Sequence, residues 1–193
     1  AREMLRHGNY LTPYYNGIPF FDKPPLFFWM ETLFIRLAGL NEWGLRLWPI
    51  TVATMGCMGS YVAGRKLFNR ATGCWAATIQ ASCLFYFMMA HVADLDLTVA
   101  TFIALSLFSF LIAAETRQHK SYYYYAAYVF SALAILSKGL IGIVLPAMVI
   151  GLWILLLNRW RLLRQMRLLT GLAIILVITS PWFLLMHEKH PGF

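Results

Sequence analysis

Four short stretches of this chain carry side chains able to do chemistry, and each lies between long apolar runs. They are Phe21-Asp22-Lys23-Pro24-Pro25, His91-Val92-Ala93-Asp94-Leu95-Asp96, Ser137-Lys138-Gly139 and His187-Glu188-Lys189-His190. A lysine held at a fixed height is a compact cation that can stabilise negative charge growing on a departing oxygen. A carboxylate nearby can take a proton from a hydroxyl or an amine. Pro24 and Pro25 fix φ and suit a helix start, so they would hold Lys23 on a stiff stalk. Each residue also has a plainer use. Asp22-Lys23 fits a solvated pair in a turn, Asp94 or Asp96 fits the cap of a helix starting near Leu97, and Lys138 fits a side chain snorkelling to headgroups. His187, Glu188 and His190 have spacing compatible with metal ligation, and equally with an interfacial turn ending at Pro191.

The elements that must position these groups are set by hydrophobicity. Of 193 residues, 60% are hydrophobic and 12% charged, against roughly 25% charged in a soluble domain. Charge-free runs approach the ~20 residues that cross a bilayer core. The fold class expected is all-α: a polytopic transmembrane helix bundle with about six spans. These cover residues 45–62, 71–90, 97–114, 122–137, 139–157 and 168–186, with short interfacial helices on the outer face. Residues 24–39 begin with Pro and end with Gly, but reach only ~24 Å at ~1.5 Å per residue. They also contain Glu31 and Arg36, so they predict a helix lying at the interface. The implied organisation is an outward-facing loop over 1–43 and a membrane bundle over 44–193.

Charge orients the bundle. Arg65, Lys66, Arg70, Arg117, Lys120, Arg159, Arg161, Arg164 and Arg167 are nine of the sixteen Lys and Arg, gathered in three short loops. The positive-inside rule places those loops in the cytoplasm. Seven of the eight acids, all but Glu115, then fall outside with the four reactive stretches. The net charge of +8 reports topology and attraction to anionic lipid, with no implication of nucleic acid. Cys57, Cys74 and Cys83 read as inert thiols in the core, without metal or disulfide spacing. Tyr122 to Tyr125, Trp160, Trp43, Trp48 and Trp182 suit aromatic belts at the two interfaces. Gly56-x-x-Gly59 and Gly139-x-x-Gly142 are spacings that let helices approach closely. No glycine-rich nucleotide loop, His-Glu-x-x-His motif or tandem repeat occurs. The chain starts at Ala1 without methionine or signal peptide and stops at Phe193. It is therefore expected to be a fragment lacking at least one upstream span and a downstream part.

The segments "AREMLRHGNYLTPYYNGIPFFDKPPLFFWM", "NEWGLRLWPI", "ADLDLTV" and "SKGLIGIVLP" together resemble a known family. It is the polyprenyl-phosphate-sugar-dependent membrane glycosyltransferases of the protein mannosyltransferase and lipid A aminoarabinose transferase superfamily (GT-C type). The most specific element is the acid-Lys-Pro-Pro motif. The resemblance implies that Lys23 contacts the donor phosphate, that Asp22 is associated with a bound divalent metal ion, and that Lys138 lies near the donor site. It implies that Asp96, or Asp94, is the acidic residue of the second outer loop with a catalytic role. Phe20 stands where relatives often have Tyr, and the family's main catalytic aspartate falls upstream of Ala1. The function implied is transfer of a sugar from a polyprenyl-phosphate donor to lipid A, another glycolipid or a protein. The site would face the periplasm or outer side of a bacterial inner (plasma) membrane. A multi-span transporter or flippase for a lipid-linked or anionic substrate is the alternative. Such proteins place ionisable groups near mid-membrane, whereas these acids sit at span ends.

Overall fold

The computed structural model describes residues 1–15, 17–116 and 120–190. Arg117 of the second basic loop and the terminal turn at Pro191 lie outside the described residues. The chain opens with a short helix, α1 (Arg2–His7), and a two-stranded hairpin, β1 (Tyr14–Tyr15) and β2 (Ile18–Pro19), paired Tyr14 to Pro19 and Tyr15 to Ile18. Then come α2 (Leu26–Ala38), α3 (Glu42–Leu67), α4 (Arg70–Ser82), α5 (Leu84–Met89) and α6 (Leu95–Glu115). α7 (Lys120–Lys138), α8 (Ile141–Leu156), α9 (Arg161–Gln165) and α10 (Leu168–Lys189) complete the bundle.

The helix expected at the interface forms where Pro and Gly place it: Pro25 is the N-cap of α2 and Gly39 its C-cap. Asn41 caps α3 by accepting from the Gly44 amide at 2.8 Å. All six apolar segments are helical. Two described helices, Leu95–Glu115 and Leu168–Lys189, are long and apolar enough to cross a membrane, and Ile141–Leu156 is a shorter apolar helix. α6 is apolar and buried around much of its girth, as the centre of a bundle requires. It packs against α3, α7 and α8, while α10 lies on α7 and α2 covers α3. Between α6 and α7, the Ser106 hydroxyl donates to the Ala127 carbonyl at 2.9 Å and meets the Ser131 hydroxyl at 2.9 Å. Such polar pairs hold helices together where no hydrophobic drive acts between them.

Three expectations are corrected. The second apolar segment is not one helix: it breaks at Cys83, whose backbone is extended (φ −64°, ψ 118°). The Ser82 hydroxyl donates to the Ile79 carbonyl at 3.1 Å. Beyond the break, Tyr86 donates to the Ala53 carbonyl of α3 at 2.9 Å. Gly56 makes room for that approach, since a Cβ there would stand 2.2 Å from the Tyr86 hydroxyl. Trp48 and Trp182 are not belt residues, because both are buried in the core; Trp43 and Trp160 remain exposed. The cysteines are not core thiols either: Cys57 is half-buried, and Cys74 and Cys83 are exposed on the outside of the bundle.

Candidate active site

The loop before α2 is held from both sides. The Trp29 indole of α2 donates to the Tyr10 carbonyl at 2.6 Å, and the Trp182 indole of α10 donates to the Leu11 carbonyl at 3.0 Å. Thr12 is fully buried, with its hydroxyl 3.1 Å from His190 Nε2. The His190 ring also lies 5.0 Å from that of Phe21. Neither Thr12 nor His190 stood out in the sequence for this role, because their contact spans 178 residues. With its backbone so anchored, the loop sets Asp22 and Lys23 at the head of α2. The Lys23 ammonium lies 2.8 Å from Asp22 Oδ2, with Lys23 the less exposed of the two.

The second pair comes from two other helices. α7 ends at Lys138, and Gly139 adopts φ +84° to turn the chain into α8. That is a conformation glycine takes without strain. The Lys138 ammonium reaches the Asp96 carboxylate in the first turn of α6. Asp94 is used differently: it is the N-cap of α6 and accepts from the Leu95 amide at 2.7 Å.

Asp22 and Lys138 both line one cavity of about 590 Å³, together with Phe21, Pro24, Trp182 and Phe183. Lys23 and Asp96 join it through their ion pairs. Asp96 itself lines a different cavity, with Gln80, Tyr86 and Thr101. The four residues thus form two linked pairs instead of one shared wall. His187 and Glu188 are exposed, while His190 is engaged with Thr12. Among the described residues, no group of three or more His, Cys, Asp and Glu side chains is placed to hold a metal ion. Asp22, the candidate ligand, is paired with Lys23.

The arrangement can bind an anionic group at the end of a largely apolar cavity, with the Lys138 ammonium in its wall and Lys23 next to it, paired with Asp22. Residues 22–185 match the dolichyl-phosphate-mannose-protein mannosyltransferase family. The chain belongs to that family. Among its relatives, an uncharacterized protein of Aquifex aeolicus is 30% identical over 98% of this chain and 38% of its own length. The undecaprenyl phosphate-alpha-4-amino-4-deoxy-L-arabinose arabinosyl transferase of Enterobacter sp. is 25% identical over 100% of this chain and 35% of its own. The crystal structures of ArnT from Cupriavidus metallidurans, in the apo state and bound to undecaprenyl phosphate, superpose with TM-scores of 0.95 and 0.94. Both are 31% identical, and the match covers 100% of this chain and 36% of theirs. The chain spans a little over a third of the length of the relatives it matches. The family match starts at Asp22, the first residue of the acid-Lys-Pro-Pro motif.

Proposed function

We propose that this chain forms the donor-binding part of a glycosyltransferase that moves a sugar from a polyprenyl phosphate to an acceptor on the outer face of the membrane. The observation that carries the reading is the cavity lined by Asp22 and Lys138, with Lys23 tied to it through its ion pair with Asp22. Its remaining walls are largely apolar and aromatic. A lipid-linked phosphate arrives laterally, so its headgroup would meet both ammonium groups at the level of the interface. ArnT bound to undecaprenyl phosphate, a near superposition of this fold, supports a donor of that class.

In the transfer, the acceptor oxygen or nitrogen bonds to the anomeric carbon as the bond from that carbon to the phosphate oxygen breaks. The electron pair passes to the phosphate, which leaves with one more negative charge. Lys23 and Lys138 stabilise that charge more in the transition state than in the ground state. Asp22 and Asp96 hold the two ammonium groups in place. The acceptor's proton goes to a carboxylate; the main one is the aspartate that the resemblance puts ahead of Ala1. Asp96 is the second candidate, and Asp94 serves first as a cap. A divalent metal at Asp22 would neutralise phosphate charge. The described residues do not by themselves make a metal site. Lipid A, another glycolipid or a protein remains the acceptor class.

The same reading makes the six helical segments crossings of a bacterial inner membrane, with the basic loops in the cytoplasm and the site in the periplasm. The test is transfer of radiolabelled sugar from polyprenyl phosphate by the intact protein in proteoliposomes. Transfer that depends on Lys23 and Lys138 is expected. Donor binding and transfer unaffected by removal of both would overturn the reading.

A further inference from the structure

A second cavity, of about 420 Å³, opens between α7, α8 and α10 toward the end of the bundle that carries α9. Ile143, Leu172 and Ile175 line both this cavity and the outer one, so the two adjoin. Its walls are mostly apolar, interrupted by four polar side chains, of which Tyr128 donates to the Met166 carbonyl at 3.0 Å. The hydroxyls of Ser106 and Ser131 satisfy each other. Tyr124 is different: it is 2% exposed, and its hydroxyl has no hydrogen-bond partner among the described residues. A buried hydroxyl of this kind ordinarily has a partner.

The mouth is basic. Leu163 and Met166, within and beside α9, line the cavity. The surrounding segment carries Arg159, Arg161, Arg164 and Arg167. Arg159 is paired with Glu115, and Arg167 donates to the Tyr125 hydroxyl at 2.7 Å. Arg161 and Arg164 are exposed, and among the described residues no acid pairs with either. Tyr124 is the fifth residue of α7, ~6 Å along the axis from the helix start. The interfacial zone of a bilayer leaflet is about 5–7 Å deep, so a headgroup at α9 puts its ester region near Tyr124.

We propose that this slot binds an anionic glycerophospholipid of the cytoplasmic leaflet. One acyl chain fills the cavity, an ester carbonyl accepts from Tyr124, and the phosphate lies on Arg161 and Arg164. A polyprenyl tail suits the apolar walls but not the chemistry, since hydrocarbon offers Tyr124 no acceptor and leaves the arginines unused. The inference relies on the membrane topology proposed above and not on the transfer reaction.

The test is native mass spectrometry of the intact protein with phosphatidylglycerol, phosphatidylcholine of the same acyl chains, and polyprenol. Phosphatidylglycerol should be retained in preference to phosphatidylcholine. The double variant R161Q/R164Q should weaken it roughly 10- to 30-fold, and Tyr124→Phe by a few-fold. Gly151→Leu supplies an independent check: a Cβ there meets no heavy atom within 4 Å, and the larger side chain should block the slot and cut binding. Equal retention of the two phospholipids would overturn the proposal, as would undiminished phosphatidylglycerol binding in the double variant or in Gly151→Leu. Displacement by polyprenol with no effect of the arginines would assign the slot to the donor tail instead. Sugar transfer measured on the same samples keeps failure here distinct from failure of the transferase reading.

Discussion

Two aspartate–lysine pairs stand at the same end of the bundle and are built in opposite ways. Asp22 and Lys23 are adjacent in the chain and share one loop, so losing either charge moves no helix. Asp96 and Lys138 are 42 residues apart and meet because α6 and α7 pack along their length. The ammonium groups are similarly shielded, with Lys23 at 29% and Lys138 at 32% side-chain exposure. The difference is mechanical. The local pair is a contact presented to a ligand; the distant pair is also a clasp between two helices, so its substitution mixes function with stability.

The largest effect should come from Lys138→Met, which keeps the apolar stem, removes the charge and leaves Asp96 unpartnered. Loss of a preorganised charge on the leaving group costs about 100- to 1000-fold in turnover, read in steady-state transfer by the intact protein. A loss under fivefold would reduce the distant pair to a clasp alone. Lys23→Ala should lose a charge-assisted contact worth roughly 1.5–3 kcal/mol, about 10- to 150-fold in rate or affinity. Lys23→Arg should recover part of it. If both were equally inactive, with wild-type rate rising toward the lysine pKa, Lys23 would be a general base and the two pairs would differ in chemistry as well as mechanics.

Smaller effects separate the neighbouring aspartates. Asp94→Ala should destabilise α6 by about 1 kcal/mol, and Asp94→Asn should restore most of that, as read from thermal unfolding in detergent. If Asp94→Ala abolished transfer without changing stability, Asp94 would belong to the site and not to the cap. The finest contrast is Asp96→Asn against Asp22→Asn. Partly exposed pairs contribute about 0.2–1 kcal/mol, so Asp96→Asn should lower the unfolding midpoint slightly while Asp22→Asn leaves it unchanged. Equal shifts would erase the distinction between clasp and contact.

Helix positions were readable from local pattern. Apolar length and the Pro and Gly bounds of α2 act within a few residues, and the structure places helices there. Asp22 with Lys23 was readable for the same reason. The break at Cys83 was not, because it depends on Tyr86 reaching Ala53 across a gap that Gly56 leaves open. Trp182 looked like a belt residue because its apolar body and polar N–H suit an interface. Its partner, the Leu11 carbonyl, lies 171 residues away.

By itself the sequence determined which segments are helical and which loops gather positive charge. It also determined that the reactive side chains fall at helix ends. Those outcomes follow from transfer free energy and backbone preference, both additive over short windows. Only the tertiary structure decided that Lys138 pairs with Asp96 and leaves Asp94 to cap α6. It likewise decided that the loop bearing Asp22 is pinned to α10 through Thr12 and His190. Such choices depend on the rotation and height of one helix against another. Close contacts set these, such as Gly142 of α8 on α7, where a Cβ would stand 2.3 Å from the Ile135 amide nitrogen. A shift of one residue along α6 turns a side chain by about 100°, enough to exchange partner for cap.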